Sequence, residues 1–219
     1  MVDFALARRH MVEGQIRTND VTGPGIVEAM LDIPREQFVP PTWQALAYID
    51  QSVPLHVEPA RFLLEPMVFG KLLQIAAVQP SDRVLHIGCG SGYGSAVLAR
   101  LAGEVIAIDC DEQLVERTKR ALADLGASNT TVLCGSLESG WAEKAPYDLV
   151  FIEGAIERLP ETLAEQIGPD GRLVAIVGNG RSGQGMLFRR TQGGLSGFSM
   201  FGASAPELPG FSIPKSFEF

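Results

Sequence analysis

The sequence predicts a doubly wound α/β fold with a mostly parallel sheet, an N-terminal helical flank and a C-terminal β element. Three observations carry this. From Arg83 onward, short apolar runs alternate with helical patterns, the signature of βαβ units. The runs are rich in Val, Ile and Leu with little polar alternation, which suits strands covered on both faces. Residues 84–94, Val-Leu-His-Ile-Gly-Cys-Gly-Ser-Gly-Tyr-Gly, then break an apolar strand into alternating glycines ahead of the helix-favouring stretch 95–101. Such glycines permit positive φ and close approach to a ligand, while the helix start offers unpaired N–H groups. An ordinary strand-to-helix turn uses the same residues, so the loop alone does not establish a site.

The elements follow in order. Residues 5–17 place Leu6, Met11, Val12 and Ile16 at helical spacing, and Asn19-Asp20 ends that helix or caps the next. Ile26, Val27, Met30 and Leu31 define a second amphipathic helix reaching Ile33, where Pro34 stops it. Pro40-Pro41-Thr42 makes a rigid turn before another helical turn or two over 43–48. With too few strands for a separate sheet, this part reads as a helical lid or flank. Residues 51–66 are irregular, interrupted by Pro54, Pro59 and Pro66, and 67–77 is helical again. Strands are expected at 83–87, 104–109, 130–134, 149–152 and 173–177, with helices at 94–102, 112–125, 138–142 and 159–167. Residues 178–185 form a flexible turn. Residues 186–190 and 198–201 pair antiparallel through Gly193-Gly194, and the remaining tail is extended and pinned by Phe211, Phe217 and Phe219. The organisation expected is one domain over 1–219: a flank with a substrate-side loop (1–80), a cofactor-binding α/β core (81–178) and a C-terminal β element with its tail (179–219).

Composition excludes several function classes. With 219 residues and 46% hydrophobic content the chain can bury one sizeable core. Eighteen basic residues against 26 acidic ones give a net charge of −8, with no Lys/Arg run, so a nucleic-acid groove is not expected. Cys89, Cys110 and Cys134 are widely separated, which disfavours a disulfide framework or a zinc site. The N-terminus does not read as a signal peptide and no stretch suits a bilayer span, so a cytoplasmic protein is expected. His10 and His56 have no neighbours suggesting metal or nucleophile chemistry and read as structural.

The glycine loop fails the dinucleotide fingerprint G-x-G-x-x-G/A. From Gly88 the sixth position is Tyr93, and from Gly90 it is Ser95. What remains is G-x-G-x-G at Gly88, Gly90 and Gly92. Asp109 closes the next strand 21 residues after Gly88, where a carboxylate can accept from both hydroxyls of a ribose. Asp109 or Asp111 can equally cap the helix beginning near Glu112, Asp111 being the better cap.

The loop resembles motif I of S-adenosylmethionine-dependent methyltransferases. Nearly the whole chain is similar to the protein-L-isoaspartate O-methyltransferase family, the last 20 to 30 or so residues least. Matching stretches are residues 11–17, 34–40, 47–50, 53–55, 87–93, 140–141 and 145–148, including Pro-Arg-Glu-Gln-Phe-Val-Pro and Ile-Gly-Cys-Gly-Ser-Gly-Tyr. The resemblance implies S-adenosylmethionine as cofactor and the isoaspartyl carboxylate of a damaged peptide or protein as substrate. It implies that Gly88, Gly90, Gly92 and Asp109 hold the cofactor, with Ser136 and Leu137 near its adenine.

Three departures fall at functional positions. His86 stands where the family has an acidic residue that helps hold the cofactor's ammonium; a neutral ring still accepts a hydrogen bond, whereas a protonated one repels. Gly135-Ser136-Leu137 replaces Gly-Asp-Gly, removing a carboxylate that contacts the adenine amino group. Such a loss costs about 1.5–3 kcal/mol where buried, roughly one to two decades of affinity. Leu64 stands at the family's serine in Leu63-Leu64-Glu65-Pro66, so no catalytic residue is assigned, and Glu65 replaces a neutral amide. Glu153 adds a further carboxylate at the tip of the fourth strand. Arg61 is near enough in sequence to compensate, but reads more simply as a solvated loop charge. Weakened isoaspartyl methyltransferase activity is the primary expectation. A degenerate binding or regulatory module, or a methyltransferase of different substrate selected by Glu65 or Glu153, is the alternative.

Overall fold

The computed structural model describes residues 2–55, 58–179 and 182–213, so His56, Phe217 and Phe219 lie outside the described residues. The flank begins with α1 (Phe4–Met11), capped by the Asp3 carboxylate accepting from the Leu6 N–H. The helix predicted over 5–17 does not stay α-helical: it continues as a π-helical turn through Ile16 and a 3₁₀ turn through Asn19. Asp20, left-handed at φ 63°, ends it. Next comes α2 (Pro24–Asp32), with proline at its first position. The turns expected over 43–48 are 3₁₀, spanning Pro41–Leu46.

The stretch expected to be irregular contains a small hairpin, β1 (Val53–Pro54) with β2 (Phe62–Leu63), leading to α3 (Pro66–Ala76). The core then alternates as predicted: β3 (Arg83–Ile87), α4 (Tyr93–Leu101), β4 (Glu104–Asp109), α5 (Glu112–Asp124), β5 (Thr130–Cys134). No helix forms over 138–142; a turn and a 3₁₀ turn at Ala142–Lys144 take its place, because Gly140 needs positive φ (63°) and sits against Gln166 and Leu163. Beyond lie β6 (Tyr147–Ile156), a short α6 (Glu161–Glu165), β7 (Ile167–Gly178), β8 (Gly183–Thr191) and β9 (Gly194–Ala203). These last strands run longer than predicted because cross-strand pairing supports glycine and polar positions that periodicity alone discounts.

The strand order of the seven-stranded sheet is β5-β4-β3-β6-β7-β8-β9. The first five strands in that order are parallel, and β8 and β9 are antiparallel. The chain moves outward from β3 through β4 to β5, then returns to place β6 on the other side of β3. That reversal opens a crevice beyond the C-terminal ends of β3 and β6, where ligands of open α/β sheets bind. Alternate strand residues face opposite ways. Val84, Val105, Phe151 and Val174 join a core with the flank and α3–α5. Leu85, Ile106, Val150 and Leu173 face Leu137, Leu163, Leu208 and Phe211. Among the described residues no helix is long and apolar enough to cross a membrane.

Candidate cofactor and acceptor site

The glycine loop lies in the crevice as the sequence places it. Gly88, Gly90 and Gly92 take φ of 77°, 54° and 96°, and the Gly88 and Cys89 N–H groups donate to the Ile108 carbonyl, tying the loop to β4. What approaches the glycines closely is the protein itself. A β-carbon on Gly92 would stand 2.7 Å from Thr118 of α5, so this glycine serves helix packing. One on Gly90 would meet Leu55 at 3.1 Å, and one on Gly88 would meet both the Arg61 guanidinium and Leu208 at 3.0 Å.

Asp109 sits at the predicted strand tip and is fully buried. Both its oxygens are engaged: Oδ1 accepts from Arg61 Nε (3.2 Å) and the Asp111 N–H (3.3 Å), Oδ2 from Arg61 Nη2 (2.8 Å) and the Gly90 N–H (2.8 Å). Burial alone would raise this carboxyl, but the Arg61 charge and these hydrogen bonds outweigh it and hold the pKa below the usual aspartate value. Asp111, not Asp109, caps α5 by accepting from the Leu114 N–H. Arg61 is thus no solvated loop charge. It is 3% exposed, because the β1–β2 hairpin turns it inward over the loop, where the Leu55 N–H donates to the Arg61 carbonyl.

His86 is also redirected. It points into the core, its Nδ1 2.9 Å from Ser95 Oγ and its Nε2 2.9 Å from Glu153 Oε2, with no exposure. A carboxylate only accepts, so Nε2–H donates to Glu153; in the neutral ring Nδ1 then accepts from the Ser95 hydroxyl. Both nitrogens are used inside the protein, and neither is left to accept from an ammonium. Glu153 lies where β6 bulges between Phe151 and Ala155, a distortion that aims its carboxylate beneath the start of α4. A β-carbon on Gly94 would collide with that carboxylate.

The Leu64 side chain is 1% exposed and belongs to the core. Its carbonyl accepts from Arg35 Nη2 at 2.6 Å, while Arg35 Nε donates to the Ala47 carbonyl and the guanidinium stacks 4.9 Å from the Tyr93 ring centroid. Arg35 therefore joins two flank segments to α4. Burial pushes the Tyr93 hydroxyl up to about 12. Glu65, half-buried at the start of α3, has its carboxyl raised by burial and then by Asp50. Ser136 is exposed and Leu137 is 2% exposed, its apolar wall shared with Leu208 and Phe211. His10 is exposed on α1.

Sequence reasoning missed Ser95, Leu208 and the buried placement of Arg61. Ser95 lay inside a helix pattern and Arg61 in a proline-rich stretch, and neither carries a local signal of its partner. The tail was expected to be pinned by aromatics; Leu208 is buried in the crevice together with Phe211.

The donor chemistry suits S-adenosylmethionine, since the loop backbone and an ionised Asp109 remain what an adenosyl ribose needs. In this conformation the group does not fit: Arg61 uses the Asp109 oxygens, and Leu208 and Phe211 cover the Leu137 wall.

The protein-L-isoaspartate(D-aspartate) O-methyltransferase family model matches residues 7–199. The protein-L-isoaspartate O-methyltransferase of Gloeobacter violaceus is 36% identical over 186 residues, covering 84% of this chain and 90% of that one. The enzyme of that name numbered 2 in Anaeromyxobacter is 39% identical over 167 residues, 76% of this chain and 68% of its own. A solved protein-L-isoaspartate O-methyltransferase superposes with a TM-score of 0.81 at 25% identity, over 93% of this chain and 66% of that longer one. A putative member from Plasmodium falciparum, solved with S-adenosyl-L-homocysteine, shares the fold at a TM-score of 0.76 and 15% identity, over 95% of this chain and 99% of its own. On the extent of these matches, the chain belongs to the protein-L-isoaspartate(D-aspartate) O-methyltransferase family.

Proposed function

We propose that this protein is an S-adenosylmethionine-dependent O-methyltransferase that methylates the carboxylate of isoaspartyl residues in proteins or peptides. The observation that carries the reading is the 36% identity to a named isoaspartyl methyltransferase over most of both chains. The glycine loop and Asp109 at the switch point of the sheet support it. When bound, the cofactor supplies an electrophilic methyl group on a sulfonium sulfur. The acceptor is a carboxylate already ionised at neutral pH, so the reaction asks no general base of the protein. It asks for positioning and a dry, suitably charged surface.

This chain's residues divide those tasks. The backbone at Gly88 and Gly90 and the Asp109 carboxylate form the cofactor side, with Ser136 and Leu137 toward the adenine. Glu65 borders the acceptor side, next to Leu64, whose side chain is turned into the core. Leu64 supplies no hydroxyl, and the Glu65 carboxylate opposes an anionic substrate: at 4 Å two such charges repel by about 4 kcal/mol at an effective dielectric of 20. Slow turnover is the expected result. Methyl release from S-adenosylmethionine on an isoaspartyl peptide, against the same peptide with normal aspartate, tests the reading. No isoaspartate-dependent methyl ester at any enzyme concentration would overturn it.

A further inference from the structure

The crevice that should receive the cofactor is filled by two segments of the chain itself. One is the β1–β2 hairpin, whose Arg61 occupies Asp109 and whose Leu55 covers Gly90. The other is the segment 204–213, which follows β9 and lies beyond the residues matched by the family model. The strand β3 pairs with β6 only as far as Ile87 opposite Ile152. Past that point Glu207 bridges to Ala155 of β6 in parallel fashion. The Ala155 N–H donates to the Pro206 carbonyl and the Leu208 N–H donates to the Ala155 carbonyl, each at 2.9 Å. The segment therefore takes the position that an extension of β3 would hold, across the mouth of the crevice.

Its side chains complete the filling. Leu208 is 2% exposed and Phe211 3%. A β-carbon on Gly154 would stand 2.6 Å from Leu208, so the same leucine closes on Gly154 and Gly88 from between the strand ends. Beyond Phe211, the Ile213 N–H donates to the Glu157 carboxylate.

We infer that residues 204–213 form a displaceable strap which, with Arg61, holds the cofactor crevice shut and must leave before S-adenosylmethionine or its product binds. This rests on the proposed cofactor reading. The exchange is matched in hydrogen bonds: ribose hydroxyls would donate to Asp109 in place of the Arg61 guanidinium, and an adenine ring would cover the Leu137 wall that Leu208 and Phe211 vacate. Among the described residues two backbone hydrogen bonds tie the 206–208 stretch to β6, and neither belongs to the pairing of the seven-stranded sheet, so release does not require that sheet to open. Because only the open form binds, apparent affinity equals intrinsic affinity multiplied by the open fraction.

Calorimetric titration of the 219-residue chain with S-adenosylhomocysteine, paired with hydrogen exchange at the Ala155 and Leu208 amides, tests the strap. A Leu208→Ala/Phe211→Ala protein and, separately, Arg61→Gln are titrated after circular dichroism has confirmed folding. Tenfold or greater tightening in either variant, with protection of the two amides falling as ligand saturates the wild type, supports the strap. Equal affinity in wild type and variants, or ligand binding that leaves both amides protected, overturns it while leaving the cofactor reading intact. Absence of binding by all three folded proteins at millimolar ligand overturns the cofactor reading and the strap with it.

Discussion

Asp109 and Glu153 are two buried carboxylates on strands either side of β3, and their hydrogen-bond partners come from different kinds of element. Asp109 pairs with Arg61, delivered from outside the sheet by a two-stranded hairpin. Glu153 pairs with His86 of β3, which is itself backed by Ser95 of α4. The first partner sits beside a small two-stranded sheet that is separate from the seven-stranded one. The second is built into the central strand and cannot leave without breaking the core. A carboxylate with a removable partner is suited to ligand exchange, and one with a fixed partner is suited to holding a loop and helix in place.

The largest effect should come from splitting the removable pair without ligand present. Arg61→Ala leaves a buried, unpaired carboxylate and should lower unfolding free energy by about 3–5 kcal/mol in urea titrations. A loss under about 1 kcal/mol would mean the pair is solvated and the contrast with Glu153 is false. The same pair predicts acid sensitivity. Asp109 has its pKa depressed in the folded state, so its contribution is fully present above the unfolded aspartate value of about 3.9. That contribution is lost as pH falls through the lower folded value, and the Arg61→Ala protein should show a shallower acid limb below about pH 4.

Next in size is Leu64→Ser, which tests whether the acceptor side is core or site. With Leu64 1% exposed, the change removes buried carbon and inserts a hydroxyl, costing about 2–5 kcal/mol of stability. Unchanged stability would place Leu64 at the surface of an open site. Glu153→Gln keeps the shape but weakens the charge-assisted bond to His86, and should cost about 1.5–3 kcal/mol. If this variant changes S-adenosylhomocysteine affinity and leaves thermal stability alone, Glu153 is a ligand group and not a support of the core.

The smallest effect belongs to Glu65→Gln, within about 0.5 kcal/mol at any one pH. The Glu65 carboxyl is raised in the folded state by burial and by Asp50, so its ionisation costs stability as pH climbs through its titration range. The glutamine variant should be slightly more stable than wild type at pH 7, and that gain should fade as pH falls toward about 4.3. Thermal unfolding measured from pH 4 to 8 decides it, and a pH-independent difference would remove the ionisation argument.

Much of the fold was legible because it depends on local pattern. Apolar β-branched runs at 83–87 and 104–109 and the helix at 112–124 have periods that neighbours only reinforce. The missing helix at 138–142 failed on Gly140, whose positive φ answers to Gln166 and Leu163, residues 23 and more positions away. Of the candidate site, Gly88, Gly90, Gly92 and Asp109 were readable as a loop and a strand tip. That Gly92 serves Thr118 and Asp109 serves Arg61 was not, since each partner is brought in by a different element.

Sequence by itself determined the parallel α/β core, the glycine turn at its switch point and the family, because periodicity, glycine spacing and strand-tip carboxylates are local properties of the chain. Tertiary structure alone decided what touches that turn. Arg61, His86, Glu153 and Leu208 owe their roles to contacts across 48, 67 and up to 120 positions of sequence, and whether a charge is solvated, paired or plugged depends on those contacts rather than on the residue's neighbours in the chain.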